Sequence, residues 1–276
     1  MTTAPPRLTD QPAQFLRRAR ATTSDPGAMF LRKLAFDEIQ ERLELVNRQF
    51  TKPAIVTPFP EIWTKARPDA KIIADTDRLD LVRGAHDLII HDLCLHWSND
   101  PVGQIIQCAR ALQPDGMFQA TLFGGQTLTE LRSALATAES QITGGLSPRV
   151  APMAEIRDLG GLLQRAGLAL PVADALTQTV TYATLDRLMH DLRAMGETNV
   201  LHARLRRPTP RQVFEKTAEL YADNYADAQG RLRATFDIIC LSGWAPHPDQ
   251  PKALRPGSAS HSLAAALAEL KMPSKD

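Results

Sequence analysis

Between residues 86 and 97 the chain gathers most of the side chains that could do chemistry: His86-Asp87-Leu88-Ile89-Ile90-His91-Asp92-Leu93-Cys94-Leu95-His96-Trp97. Asp92 and His96 are of types that exchange protons, and they are taken as the candidate catalytic residues. His86, His91 and His96 recur every five residues, which sets neighbours on opposite faces of an extended strand. No shared metal site is therefore expected from them. His96 and Trp97 close the stretch at its carboxyl end, where open α/β sheets bind their ligands, so they are candidates for lining a substrate cleft. The alternative is a packed aromatic beside a hydrogen-bonded histidine.

Further candidates follow. Phe123-Gly124-Gly125 could let a substrate chain approach the backbone closely, or could simply be a tight loop before a helix. Glu130 and Arg132 stand two residues apart on that helix and cannot face each other. One of them pointing into the cleft would read a peptide; the other is expected to be surface charge.

These residues need elements to position them. The run from His86 is apolar on both parities, as in a central strand covered on both faces. Short apolar runs at Lys52–Val56 and Lys71–Asp75 read as strands, and Met117–Phe123 as another after the turn Pro114-Asp115-Gly116. Three- and four-residue apolar steps predict helices over 28–50, 102–112, 127–141, 153–166, 185–195, 213–225 and 262–270. Residues 62–66 fit a short helix, and Ala234–Trp244 a single late strand. Strand and helix in alternation argue for an α/β, doubly wound, mostly parallel sheet.

The order strand, Asp92-to-Trp97 loop, helix, Leu112-Gln113-Pro114-Asp115-Gly116, strand resembles the fourth and fifth strands of class I S-adenosylmethionine-dependent methyltransferases. More specific blocks follow: Phe123-to-Arg132, Ala138-Glu139, Gly144-Gly145-Leu146-Ser147-Pro148, Asp158-Leu159-Gly160, Leu163-to-Gly167, Met195-to-Asn199 and Ala234-Thr235-Phe236. Together, over roughly 28–258, they resemble the assembly factor five family of respiratory complex I. The resemblance implies hydroxylation of an arginine in a complex I iron–sulfur subunit, a protein partner, and an S-adenosylmethionine pocket. The same strands are similar, more distantly, to the methyltransferase that esterifies malonyl-carrier protein.

In the family pattern Asp75 would hold the cofactor's ribose and Thr57 would belong to the cofactor turn; Asp75 could equally be a solvated turn residue beside Asp77. Yet the turn after the first strand, Thr57-Pro58-Phe59-Pro60-Glu61, contains no glycine, lacks two amide donors and adds bulk and negative charge. All of this disfavours the cofactor. Only about thirty residues separate the first strand from the one at His86, whereas two βαβ crossovers at ~30 residues each need about twice that. The cofactor half is thus expected to be shortened, with Leu79-Asp80-Leu81-Val82 as the remnant of a lost strand.

Composition bounds the rest. Lys and Arg total 32 against 31 Asp and Glu, a net charge of +1, which gives no electrostatic reason to expect nucleic acid or an anionic membrane. Cys94, Cys108 and Cys240 read as buried thiols of a reducing compartment, and no apolar stretch is long enough to span a bilayer. The expected place is the bacterial cytoplasm, or the mitochondrial matrix in a eukaryote. We expect an N-terminal tail over 1–27, one domain over 28–258 and a C-terminal helix and tail over 259–276. Two functions are open: acting on or holding an iron–sulfur subunit, with cofactor binding possibly lost, or active methylation of a carrier-bound acid or protein.

Overall fold

In a computed structural model, which describes residues 7–21 and 26–251, six strands join in one sheet. They are β1 (Pro53–Val56), β2 (Lys71–Ile73), β3 (His86–His91), β4 (Leu112–Gly124), β5 (Ala169–Tyr182) and β6 (Leu232–Trp244), in the order β2-β1-β3-β4-β6-β5. β2, β1, β3 and β4 are parallel, while β6 runs antiparallel between β4 and β5. The described helices are α1 (Gln11–Ala21), α2 (Phe30–Leu45), α3 (Pro101–Ala111), α4 (Thr129–Thr143), α5 (Ile156–Arg165), α6 (Leu185–Ala194) and α7 (Arg211–Tyr225).

β3 is central because every residue of it is buried, as its unbroken apolar run requires. α3 starts at Asp100, whose carboxylate accepts from the Gly103 amide at 2.8 Å, with Pro101 at the first helical position. The Pro114-Asp115-Gly116 turn is a bulge inside β4: the pairing jumps from His86–Leu112 to Leu88–Met117, and Asp115 takes φ 61°. A compact unit spans Met1–Pro246, and a second comprises His247–Asp276. The helix predicted over 262–270 lies outside the described residues.

Several expectations are corrected. Residues 11–21, read as part of a tail, form α1. Its buried residues include Gln14 and Arg18, while Phe15 and Leu16 are exposed, so the usual apolar stripe is missing. β5 was not expected; its burial alternates, and it forms the sheet's outer edge beside β6. The expected shortening of the first half holds: residues 79–82 are irregular, and on the β2 side the sheet ends at β2, leaving two strands instead of the doubly wound pattern's three. Residues 60–62 make only a single tight turn.

Candidate functional site

The sheet order reverses between β1 and β3, and in doubly wound folds the ligand crevice opens at the carboxyl ends of those strands. Here the chain occupies part of that place, and a cavity of about 760 Å³ remains between α1 and the ends of β1 and β2, lined by Arg18, Thr57, Pro58, Pro60 and Asp75. Thr57 donates its hydroxyl to Asp92 at 2.8 Å and accepts from the Phe59 amide at 3.1 Å. Phe59 is fully buried, and the Arg32 guanidinium stacks on its ring at 4.4 Å. From α1, Arg18 forms an ion pair with Asp75 at the end of β2, with side-chain exposures of 7% and 15%. A Cβ on Gly196, which has φ +77°, would meet Phe59 at 3.1 Å and Arg18 at 3.2 Å.

These residues do not form a cradle for the methionine end of S-adenosylmethionine. The turn offers neither glycine nor the amides of Pro58 and Pro60, a buried phenyl ring stands in it, and Asp75 is neutralised by Arg18. Asp92 is also enclosed. Burial pushes its carboxyl upward, against the nearby Arg32 charge and the hydrogen bond from the Thr57 hydroxyl. Fully buried and bonded to Thr57, Asp92 is a core hydrogen-bonding group, not a proton carrier open to substrate.

Next to this plug lies a cluster centred on Glu197, in the turn after α6. Its Oε1 accepts from Arg32 at 2.6 Å; its Oε2 accepts from the Trp97 indole at 2.6 Å and from His96 Nε2 at 3.0 Å. Burial opposes its charge, yet His96, by charge and hydrogen bond, together with Arg32 and Arg18, holds its carboxyl down to about 2. The Phe123 amide donates to His96 Nδ1 at 3.4 Å, so Nε2 is the ring nitrogen that carries its proton toward Glu197. The carboxylate thus ties the crevice side, Arg32, to the cavity side, His96 and Trp97.

That cavity has a volume of about 250 Å³ and opens beyond β4. Phe123, Leu131, Met153, Met189 and Phe236 form its apolar wall, and His96, Trp97, Glu197 and Thr198 its polar end. The irregular segment 144–155 supplies one side through Arg149, Val150, Ala151 and Met153. Glu139 on α4 anchors that segment by accepting from Ser147 Oγ at 2.7 Å and from Arg149 at 2.6 Å. Arg149, through its hydrogen bond, and then Ser147 keep the Glu139 carboxyl below its usual range against partial burial. Asn199 donates to the Pro148 carbonyl at 2.9 Å, joining the segment to the turn that carries Glu197.

Of the residues expected to surround one opening, the structure brings together His96, Trp97 and Phe123 and leaves out the others. Asp92 is enclosed in the core, whereas Thr57 and Asp75 line the separate cavity beneath α1. Gly124 and Gly125 serve packing: a Cβ on the first would meet Ile239 at 2.7 Å, and on the second, at φ +53°, Asp237 at 2.4 Å. Glu130 accepts from Thr235 Oγ1 at 2.5 Å and is buried; Arg132 donates to the Ala151 carbonyl at 3.0 Å and braces segment 144–155 from behind. Trp97 is only 6% exposed, so it is as much a core residue as a cleft residue. His91 is likewise enclosed, bonded to Gln104 at 2.9 Å. Among the described residues no three His, Cys, Asp or Glu side chains converge as metal ligands, and no helix is long and apolar enough to cross a membrane.

Sequence reasoning missed Glu197, Glu139 and Arg32. The first two sit inside the quoted blocks Met195-to-Asn199 and Ala138-Glu139, which is the signal that could have found them. Arg32 lay on a helix read only as apolar, and nothing in its surroundings marks it as buried.

No family model matches the chain. The arginine-hydroxylase NDUFAF5, mitochondrial, of Danio rerio is 34% identical over 221 residues, covering 80% of this chain and 68% of that protein. The Mus musculus protein of the same name is 37% identical over 196 residues, covering 71% of this chain and 57% of its own. The chain thus spans between about half and two thirds of these relatives' lengths. A malonyl-[acyl-carrier protein] O-methyltransferase of Xylella fastidiosa is 34% identical over 179 residues, covering 65% of this chain and 58% of that one. Among solved structures, the YcgJ protein of Bacillus subtilis gives a TM-score of 0.49 at 12% or less identity, 10% for this pair, covering 77% of this chain and 99% of that one. With a relative this similar over most of the length of both proteins, the chain belongs to the family of the arginine-hydroxylase NDUFAF5, mitochondrial.

Proposed function

We propose that this chain holds a segment of a protein partner in the cavity beside Glu197, and does so without S-adenosylmethionine. By the family resemblance the partner is a newly made iron–sulfur subunit of complex I, met in the bacterial cytoplasm or, in a eukaryote, the mitochondrial matrix. The observation that carries the reading is the altered cofactor turn: it has no glycine, Phe59 lies buried in it under Arg32, and Arg18 neutralises Asp75 at the edge of the cavity that remains there. The cavity beside it stays open, with an apolar wall and a rigid polar end. A surface that keeps its partner face while the contacts of its cofactor face are replaced is suited to binding rather than turnover.

A second reading, methylation of a carrier-bound acid or a protein, draws on the same open cavity and on the likeness to the Xylella fastidiosa enzyme. Titration calorimetry with S-adenosylmethionine and S-adenosylhomocysteine, run beside capture of the iron–sulfur subunit by the tagged chain, separates the two. The expected result is capture with no cofactor heat up to millimolar concentration. Micromolar cofactor binding, or cofactor retained through purification, would replace the first reading with the second.

A further inference from the structure

The cavity's own chemistry points away from a basic ligand. Glu197 is the one acidic residue in its lining, and both its oxygens are taken by Arg32, Trp97 and His96. A guanidinium or ammonium entering from outside finds no free carboxylate there. It meets two arginines instead, Arg149 and Arg193. Arg149 is already paired with Glu139 and bonded to Thr209. Arg193, on the last turn of α6, is exposed at the mouth, and among the described residues its side chain has no hydrogen-bond or ion-pair partner. One further group points to a missing ligand: the Thr198 hydroxyl, in the cavity lining, is buried and has no hydrogen-bond partner. A buried hydroxyl usually finds a partner, and this one has none within the described residues.

Size sets the apolar part. A dry apolar cavity of ~150 Å³ holds a benzene ring, so about 250 Å³ takes a whole aromatic side chain with its stem. We propose, resting on the partner-holding reading above, that the cavity recognises a peptide through one buried aromatic side chain followed by an acidic residue that faces Arg193. The aromatic ring fills the space between Phe123, Leu131, Met189 and Phe236, the neighbouring peptide group bonds Thr198, and the carboxylate neutralises Arg193. An arginine at the anchor position gains no carboxylate there and is disfavoured by the Arg193 charge.

The test uses the full chain and fluorescent host peptides of glycine and serine carrying Phe-Glu, Phe-Gln, Phe-Lys, Gly-Glu or Arg-Glu at their centre. Phe-Glu is expected to bind at least about tenfold more tightly than Gly-Glu, as burial of a phenyl group requires. It should exceed Phe-Gln by about threefold, the size typical of an exposed charge pair. In Arg193→Glu the order of Phe-Glu and Phe-Lys should invert. Met189→Trp should fill the cavity and lose the Phe preference; its circular dichroism and melting curve report its folding, and the surface variant Arg193→Glu carries the test if it does not fold.

Equal binding of all peptides, tighter binding of Arg-Glu, or no inversion in Arg193→Glu would overturn the proposal. So would binding of free phenylpropionate with none of the peptides, which would identify a small carboxylate as the ligand. The underlying reading fails separately, when the wild-type chain does not capture the iron–sulfur subunit although Phe-Glu peptides bind. The anchor proposal alone fails when the subunit is captured equally by the wild type and by both variants.

Discussion

Glu197 shows how one carboxylate can fix the site. Its side chain is 6% exposed and that of Arg32 1%, so neither charge has water to fall back on. Removing one member of such a pair leaves the other buried alone, at a cost of about 3–5 kcal/mol. Glu197→Gln is therefore expected to lower unfolding free energy in urea by roughly 3 kcal/mol or more; a loss under 1 kcal/mol would mean that the pair is not buried in solution. The pH dependence has a definite sign. The folded carboxyl sits at about 2 against an ordinary 4.5, so its contribution is complete above 4.5 and disappears as pH falls from there toward 2. His91 acts at higher pH, because burial, despite the Gln104 bond, pulls its folded value to about 4 from 6.5. The unfolded chain binds that proton first, so stability should decline as pH falls from 6.5 to 4, by up to about 1.4 kcal/mol per pH unit. In His91→Gln this slope should be missing. An unchanged slope would assign the loss to other groups.

At the scale of elements, what could be read from sequence depended on whether a segment obeyed its own periodicity. β3, β4 and α3 did, and their place in the sheet followed. β5 did not, because an edge strand with alternating exposure carries no apolar run, and Pro171 near its start reads as a breaker. α1 was hidden for the opposite reason: it buries Gln14 and Arg18 and shows Phe15 and Leu16 to solvent. Its interior face is polar because it meets Asp75, a carboxylate that a sequence pattern can propose for a ribose but cannot pair with an arginine 57 positions away. The plug was thus half legible, in the glycine-free turn, and half invisible, in the helix that completes it. Arg18→Ala is expected to cost about 1–2 kcal/mol by leaving Asp75 unpaired, without gaining S-adenosylmethionine binding, since Pro58, Phe59 and Pro60 remain. Cofactor binding in this variant, read by calorimetry, would make α1 the sole obstacle. Gly125→Ala tests the other loop. Positive φ and a Cβ placed 2.4 Å from Asp237 predict a melting temperature lowered by several degrees, with partner capture by the folded fraction unchanged. Lost capture at full stability would return this glycine to the binding surface.

At the scale of the molecule, the cavity joins two stretches of chain that lie far apart in the sequence. His96, Trp97 and Phe123 come before segment 144–155, while Met189, Glu197 and Phe236 come after it. What unites them is the sheet: β6 pairs with β4 from Met117–Trp244 to Gly124–Asp237, and β5 with β6 from Ala169–Trp244 to Tyr182–Leu232. Within segment 144–155, Gly144 has φ 71°, Gly145 has no side chain, and Leu146 is 71% exposed, the features of a site that proteases nick. Cleavage there opens the chain but breaks none of the strand pairing between its halves, nor the Thr127 and Asp237 bonds that join the end of β4 to β6. Limited digestion is therefore expected to yield fragments of about 144 and 132 residues that co-elute as one species on gel filtration and part only in denaturant. Because Glu139 holds Ser147 and Arg149 beyond the cut, the cavity wall should persist, and the nicked protein should still bind the Phe-Glu peptide within a few-fold of the intact chain. Fragments that separate in native buffer, with the first remaining folded, would show that the late strands form a body of their own and that the cavity lies between domains instead of inside one sheet.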